Sequence, residues 1–206
     1  MFKTVILCRH GEVDNPRKVF YGRSLDISLS EAGKKQIDSL GRQIREMEIE
    51  VKTIHSSPLL RAKQTSEILS KHLKLPIWPQ PKLVDVHIPA FVGKPLTIRK
   101  ELHAKGEDEY SGEWVKKGNE SGAEIAERML SAFQEINASK EGIPLIVSHG
   151  DPLAFLHFSL GFPGQSLISI SEILRNGYGL KKGSAIILKF DKKGGIKSKK
   201  TLIPKE

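Results

Sequence analysis

Short apolar runs alternate with amphipathic stretches along this chain. Four runs are short, apolar and bounded by polar or breaking residues, which is typical of buried strands, and they cover residues 4–8, 51–55, 143–148 and 184–190. Strand-like and helix-like segments that alternate in this way favour helices packed on both faces of one sheet. We therefore predict an α/β fold, a three-layer α/β/α sandwich with a mostly parallel central sheet.

Two of the intervening segments carry helix-start signals followed by helical spacing. Ser30 is a good N-cap for a helix whose inward positions recur every three or four residues, namely Ile37, Leu40, Ile44 and Met47. Ser57 followed by Pro58 places a cap and a first-turn proline before a second helix that reaches about His72. We expect both helices to cover the sheet.

The middle of the chain is less regular. Residues 76–118 combine prolines, glycines and mixed charges, and an irregular segment of that length is usually functional or flexible. We expect this segment to pass over the functional site. Ser121 and Glu124 then form a capping box, which predicts a helix that runs to about Ser139.

Length and composition fit a single domain that spans residues 1–206, because a hydrophobic content of 38% can fill one core. The lone cysteine, Cys8, has no partner for an internal disulfide, and its apolar run makes it a core residue. The apolar runs are too short for a signal peptide or a membrane span. We therefore expect a cytoplasmic protein that does not act on a membrane.

The formal net charge of +9 suits an anionic partner, whether nucleic acid, a membrane surface or a phosphorylated small molecule. Much of the excess lies in residues 192–200, where lysines and glycines favour a solvated hairpin turn and edge strand. This stretch lacks the interleaved aromatic residues on which bases stack. We therefore expect no nucleic-acid partner.

Histidine followed by glycine ends two of the apolar runs. One run ends in Arg9 and His10 and another in His149, and the carboxyl ends of parallel strands meet at the crevice where α/β sheets bind ligands. Arg61 adds a second arginine in the first turns of a helix, whose amino terminus also attracts anions. The pattern predicts an anion site, and arginine suits phosphate or carboxylate.

Five motifs in order resemble the histidine phosphatase superfamily, in its phosphoglycerate mutase-like branch. They span most of the chain and comprise residues 9–12, 29–36, 56–65, 120–121 and 148–150. The segment 56–65 is an especially close match to the family pattern. The resemblance implies a phosphoglycerate mutase-like fold with its site at the carboxyl edge of the sheet.

The resemblance also implies roles for individual residues. His10 attacks phosphorus and forms a phosphohistidine, while Arg9, Arg61 and His149 hold the phosphoryl oxygens. Positioning and positive charge are what phosphoryl transfer chiefly requires of a protein. The surrounding cations keep His10 neutral for attack, whereas a bound phosphate dianion raises the pKa of His149. Asn15 resembles a phosphate-contacting asparagine of the family, although its offset from His10 is one residue short.

The proton for the leaving group has two candidate donors. Family members use a glutamate in a Leu-x-Glu segment, where this chain has Asp85. The shorter aspartate requires the loop or the substrate to sit closer. His87 competes for the same role, and Pro89 replaces a residue that is commonly glycine in the family.

A metal site is the alternative from a different class of chemistry. Two or three histidines and a carboxylate suit zinc, and the candidates are His10, Asp85, His87 and His149. Arg9 and Arg61 would repel a divalent ion, and the usual local ligand spacings are missing. We predict neither a metal nor another cofactor.

The choice between hydrolysis and phosphate transfer depends on what reaches the phosphohistidine. Residues 86–93 contain no lysine or arginine that would hold a glycerate carboxylate, although Lys94 and Arg23 remain nearby. Gly22 and Arg23 resemble the family's substrate-side loop, and with His87 they form the predicted substrate-binding set. We predict a metal-independent phosphomonoester hydrolase for a small phosphorylated metabolite.

Three alternatives stay open beside hydrolysis. Phosphoglycerate mutase and alpha-ribazole phosphatase are the narrower enzyme roles. The third is a non-catalytic protein that binds phosphorylated ligands or nucleic acid, since the acid loop departs from the family pattern. The sequence also leaves a homodimer open.

Overall fold

A six-stranded sheet forms the centre of the protein in the computed structural model, which describes residues 3–138 and 142–205. Its strands are β1 Thr4–Arg9, β2 Val51–Ser56, β3 Ile77–Pro79, β4 Ile143–Ser148, β5 Ala185–Phe190 and β6 Ile196–Leu202. The spatial order is β3-β2-β4-β1-β5-β6. The pairings from β3 to β1 are parallel, and β5 and β6 are antiparallel. The predicted, mostly parallel sheet is therefore confirmed.

Seven α-helices accompany the sheet within the described ranges. They are α1 Glu31–Glu46, α2 Leu60–Leu73, α3 Ile98–Ala104, α4 Gly112–Lys116, α5 Gly122–Ala138, α6 Gly150–Gly161 and α7 Ile170–Arg175. Helices α1 and α2 pack on one face of the sheet, and α5 and α6 on the other, each over its own apolar core. This confirms the three-layer α/β fold. In the part of the chain that the structure describes, no helix has the length and apolar character needed to cross a membrane.

Local capping signals set two of the predicted helix starts, and the predicted cap of a third helix is wrong. The side chain of Ser30 accepts a hydrogen bond from the backbone of Gly33 and caps α1, as predicted. The capping box of Ser121 and Glu124 forms at α5, and Ser139, where that helix was expected to end, lies outside the described residues. Helix α2 instead has Leu59 as its N-cap without a side-chain bond, so the prediction of Ser57 as the cap is wrong.

The middle segment contains short regular elements. Strand β3, a 3-10 turn at Pro81–Leu83, α3 and α4 all lie within residues 76–118. Strand β3 is only three residues long and pairs with β2 at the sheet edge. The connections between these elements bring the segment to the carboxyl edge of the sheet, where it contributes to the site below.

The lysine-rich carboxyl-terminal stretch forms the predicted hairpin. Strand β6 pairs antiparallel with β5 and lies at the other edge of the sheet. Its residues 197–201 are exposed, and charged edges of this kind discourage pairing with other sheets. This part of the positive charge therefore lies in a solvated edge strand, as its sequence indicated.

Candidate active site

The two histidine-glycine strand ends lie side by side. Strands β1 and β4 pair in parallel with Arg9 opposite Ser148, so the following residues, His10 and His149, leave the sheet together. Their ring centroids are 5.2 Å apart. The sheet topology thus brings together two residues that are far apart in sequence.

A cavity of about 130 Å³ opens at this edge of the sheet. Strand ends, the loop after β1 and the middle segment all contribute to it. The lining residues are Arg9, His10, Phe20, Tyr21, Gly22, Asp85, Val86, Ile88, Leu96, Arg99, Gly150, Asp151 and Lys182. Charged, polar and apolar side chains therefore face the same cavity.

His10 is held in an orientation suited to nucleophilic attack. Its Nδ1 atom lies 2.7 Å from the carbonyl oxygen of Gly11, and a carbonyl can only accept, so Nδ1 carries the proton. The other nitrogen, Nε2, therefore keeps its lone pair in the neutral ring. Burial lowers the pKa of His10 well below 6.5, and His149, Arg9 and Arg61 lower it further. The neutral form that attacks phosphorus is thus favoured.

Arg9 lies against the second strand end. Its Nη1 donates to the carbonyl of Leu180 at 2.8 Å, while its buried Nε has no acceptor among the described residues. A Cβ atom on Gly150 would lie 2.8 Å from the Arg9 guanidinium carbon. Glycine after His149 is therefore needed for Arg9 to pack here.

Arg61 is fully buried behind the cavity wall. Its Nη2 donates to the carbonyl of Gly22 and to Oδ2 of Asp85, both at 2.8 Å, and its Nη1 donates to Ser24. The Cζ atom of its planar guanidinium also lies 4.8 Å from the centre of the Tyr21 ring. As with Arg9, the buried Nε lacks an acceptor within residues 3–138 and 142–205. Two buried N–H donors of this kind suit an anion.

His149 is the N-cap of α6 and is fully buried. Its Nε2 lies 2.8 Å from the hydroxyl of Ser57, which explains why that serine does not cap α2. Its Nδ1 lies 3.5 Å from Oδ2 of Asp85. Burial lowers the pKa of His149 well below 6.5, and nearby arginines, first Arg61 and then Arg9, act in the same direction. The neutral form of His149 is therefore favoured in the free protein, and a bound phosphate dianion acts in the opposite direction.

Asp85 lies at the cavity between Arg61 and His149. Its Oδ2 contacts both residues, and its Oδ1 accepts from the backbone N–H of Val86. The side chain retains 14% exposure, so it reaches the cavity surface. His87, the competing acid, is exposed and does not line this cavity. The geometry favours Asp85 over His87, and both roles remain predictions.

Glu120 organises the predicted substrate-side loop, a role that its motif alone did not indicate. One of its oxygens accepts from Arg23 at 3.0 Å, and Arg128 donates to both oxygens at 2.7 and 3.0 Å. Arg23 also donates through Nε to the backbone carbonyl of Asp85. Arg23 therefore holds the acid loop in place, whereas Gly22 lines the cavity directly.

The side chain of Asn15 is engaged within its own loop. Its Nδ2 donates to the carbonyl of Val19 at 2.8 Å, and its Oδ1 accepts from the Val19 N–H at 3.3 Å. Asn15 does not line the cavity. A phosphate contact from Asn15 stays a prediction, and it would require these hydrogen bonds to open.

A polar cluster that sequence reasoning missed borders the cavity, which two of its members, Arg99 and Asp151, line directly. Arg99 donates to both oxygens of Asp151 and to the hydroxyl of Tyr110, and it forms an ion pair with Glu109. Burial raises the pKa of Tyr110 well above 10, as does the Asp151 carboxylate that accepts its hydroxyl proton. Asp151 directly follows the second histidine-glycine pair, which was the one available signal for it.

The site chemistry does not resemble a metal centre. Among the residues that the structure describes, no three His, Cys, Asp or Glu side chains are grouped for a metal ion. Of the candidate ligands, Asp85 is bound by Arg61, and His87 lies outside the cavity. The arginines fit an anion instead.

Comparisons with known proteins agree with this geometry. The chain is 29% identical over 148 residues to the uncharacterised phosphatase PhoE of Bacillus subtilis, and the aligned region covers 71% of each chain. It is 32% identical over 169 residues to a probable phosphoglycerate mutase, GpmB, of Photorhabdus laumondii, covering 79% of this chain and 77% of the relative. The solved structure of YhfR from Bacillus stearothermophilus superposes with a TM-score of 0.75 at 25% identity, covering 94% of this chain and 93% of that one. The model of the histidine phosphatase superfamily, branch 1, matches residues 5–177. The chain therefore belongs to this superfamily and is an enzyme of its phosphatase or mutase type.

Proposed function

We propose that the protein is a metal-independent phosphomonoester hydrolase that acts through a phosphohistidine on a small phosphorylated metabolite. The observation that carries this proposal is the state of His10, whose Nδ1–H is bound by Gly11 and whose Nε2 keeps a lone pair beside two arginines. A neutral, oriented imidazole next to fixed cations is what nucleophilic attack on a phosphate ester requires.

In the first step, Nε2 of His10 forms a bond to phosphorus and the bond from phosphorus to the ester oxygen breaks. Arg9, Arg61 and the amino terminus of α6, which begins at Gly150, lie around the developing charge. The unpaired Nε donor of Arg9 supplies a hydrogen bond to a phosphoryl oxygen, and Arg61 joins it once the phosphate displaces Asp85. Such fixed donors stabilise the transition state because they need no reorganisation.

The departing oxygen takes a proton from Asp85. A bound phosphate competes with the Asp85 side chain for Arg61, and this frees Oδ2 to face the departing oxygen. In the second step, Asp85 accepts a proton from the attacking water, whose oxygen bonds to phosphorus as the bond to Nε2 breaks. Inorganic phosphate and the alcohol are the products, and His10 returns to its initial form.

Hydrolysis is favoured over mutase activity because the two cations expected to hold a second acidic group, Arg23 and Lys94, are engaged elsewhere. A mutase must retain its phosphorylated product and hold a second acidic group while the phosphoryl group moves. Of the two candidates for that task, Arg23 is bound by Glu120, and Lys94 lies over the rings of Phe91 and Trp114. Neither Arg23 nor Lys94 lines the cavity. The name of the GpmB relative keeps a phosphoglycerate mutase as the second candidate, and alpha-ribazole phosphatase is a narrower hydrolase role.

The test is hydrolysis of p-nitrophenyl phosphate and of an alkyl phosphate in the presence of EDTA. We expect turnover by the parent protein, and its loss in His10→Ala. His87→Ala is the matched control, because this histidine is exposed and outside the cavity.

Four results would contradict the proposal. Loss of the parent activity on chelation would indicate metal chemistry, and full activity of His10→Ala would exclude the phosphohistidine. Conversion of 3-phosphoglycerate to its isomer with a phosphorylated primer, in the absence of hydrolysis, would assign the mutase reaction instead. A protein that binds phosphate without turnover of either ester would support the binding-only alternative.

A further inference from the structure

Part of the cavity lining does not belong to the proposed phosphate site. We call this part the leaving-group wall, and it consists of Phe20, Ile88, Leu96, Arg99 and Asp151. Phe20 and Ile88 are buried apolar residues, whereas 41% of Leu96 is exposed. A phosphate held at His10 leaves its ester group to face the rest of the cavity, so these residues are the available contacts for the alcohol portion of a substrate.

The arginine on this wall does not act as an open receptor for an acidic group. Arg99 is paired with Asp151 on the cavity surface and with Glu109, whose side chain is only 1% exposed. Both carboxylates contact the same Nη2 atom. The guanidinium lies 5.7 Å from the centre of the Phe20 ring. One positive charge thus faces two negative charges, and the cluster carries no surplus positive charge to attract a second anion.

The leaving-group wall nevertheless retains hydrogen-bonding capacity. The Nε atom of Arg99 is buried and has no acceptor in the described part of the chain. Asp151 keeps its pKa below the usual value despite its burial, because Arg99 and the hydroxyl of Tyr110 bind the carboxylate. The wall therefore offers a donor in Arg99 and an ionised acceptor in Asp151, a combination that suits an alcohol hydroxyl.

Lys182 is the remaining cation on the cavity lining. Arg9 contributes to the lowering of its pKa, after burial, and Glu12 opposes this effect. Lys182 therefore interacts electrostatically with Arg9, which belongs to the proposed phosphate site. We assign its charge to that site, and the Lys182→Ala variant below checks this assignment.

We propose that the leaving-group wall selects phosphate esters of uncharged, hydroxyl-bearing alcohols and rejects esters that carry a second anionic group. This inference rests on the proposed function, since it assigns the substrate class of the same site. A carboxylate on the alcohol portion meets the ionised Asp151, and repulsion of this kind discriminates strongly in a partly buried site. A hydroxyl at the same place donates to Asp151 and accepts from Arg99.

The test compares kcat/KM for glycerol 3-phosphate and 3-phosphoglycerate, which have three-carbon backbones and differ in the hydroxyl or carboxylate at the far end. We expect the parent to prefer glycerol 3-phosphate by roughly tenfold or more. In Asp151→Asn, which keeps the shape and removes the charge, this preference falls to about threefold or less. Asp38→Asn, a carboxylate on α1 that pairs with Arg42 and His72, is the matched control and retains the parent ratio.

A second variant avoids any change to the buried cluster. Leu96→Lys adds a positive charge at an exposed position of the wall, and we expect it to raise kcat/KM for 3-phosphoglycerate relative to glycerol 3-phosphate. Lys182→Ala tests the alternative that the carboxylate of a substrate binds at Lys182. We expect this variant to slow the hydrolysis of both esters equally. A selective loss of 3-phosphoglycerate hydrolysis in Lys182→Ala would place a carboxylate there and contradict the inference.

The outcomes separate the inference from the proposed function. Hydrolysis of p-nitrophenyl phosphate with a parent preference for 3-phosphoglycerate, or with an unchanged ratio in both Asp151→Asn and Leu96→Lys, overturns the substrate class alone. Absence of turnover for all three esters overturns the proposed function, and the substrate class with it.

Discussion

The Nη2 atom of Arg61 lies 2.8 Å from Oδ2 of Asp85, so the proposed phosphate ligand and the proposed acid bind each other. Oδ2 also lies 3.5 Å from Nδ1 of His149. Phosphate must compete with this carboxylate for the buried arginine, and substrate binding is thereby coupled to release of the acid.

Replacing Arg61 with lysine tests the geometry of the phosphate site at constant charge. Lysine has no planar fork and cannot contact Asp85, Gly22 and a phosphoryl oxygen at once. We expect Arg61→Lys to lower kcat/KM for p-nitrophenyl phosphate by roughly a hundredfold. Arg42→Lys, in an exposed ion pair on α1, is the control and retains activity. A loss of less than about threefold in a folded Arg61→Lys protein would show that charge alone suffices.

Asp85→Asn separates proton donation from the ion pair. An aryl leaving group departs without a proton, whereas an alkyl oxygen requires one, so we expect a loss of about a hundredfold or more on alkyl esters and less than about tenfold on aryl esters. Loss of the contact with Arg61 affects both esters equally, and the ratio of the two losses therefore reports the acid. Equal losses, together with a selective alkyl defect in His87→Ala, would transfer the role to His87.

The protonation state of His10 gives a prediction about pH. A histidine with an ordinary pKa is half protonated near pH 6.5, whereas burial and the adjacent cations lower the pKa of His10, so its proton binds only at a lower pH. We expect His10 to be almost entirely neutral at pH 6.5. Ring nitrogen NMR during an acid titration measures this directly, with His10→Ala to assign the signal. A midpoint for His10 at or above pH 6.5 would contradict the assignment.

Close backbone packing beneath the catalytic loop gives a prediction about stability. A Cβ atom on Gly33 would lie 2.0 Å from the carbonyl oxygen of Glu12, in the loop that follows His10. We expect Gly33→Ala to lower the free energy of unfolding by about 1–3 kcal/mol and to reduce kcat, because the loop must move. Gly161→Ala is the matched control, since its Cβ would meet only ordinary contacts at 3.5 Å or more. Chemical denaturation of both variants checks this expectation, and equal stabilities would contradict it.

The sequence predicted the core of the site because strand ends are a local signal. Apolar runs located β1 and β4, and the glycines after His10 and His149 marked where the chain leaves the sheet. Parallel pairing then brings these ends together without further information. The placement of Arg61 followed in the same way from the helix after β2.

The leaving-group wall could not be predicted, because it depends on contacts between distant segments. Arg99 and Asp151 are 52 positions apart and meet only through the packing of α3 near the start of α6. Dependence on a distant contact also explains why the predicted cap of α2, Ser57, is wrong. The Ser57 hydroxyl could bond either to its own helix or to a distant side chain, and the structure shows that it pairs with His149.

Trapping the covalent intermediate shows whether His10 is the nucleophile. The protein is mixed with p-nitrophenyl phosphate, quenched within the first turnovers under alkaline conditions that preserve phosphohistidine, digested and analysed by mass spectrometry. We expect an added phosphoryl group on His10 in the parent and none at position 10 of His10→Ala. Hydrolysis that proceeds in the parent at the same rate as in His10→Ala, with no phosphoryl group on His10, would contradict this expectation.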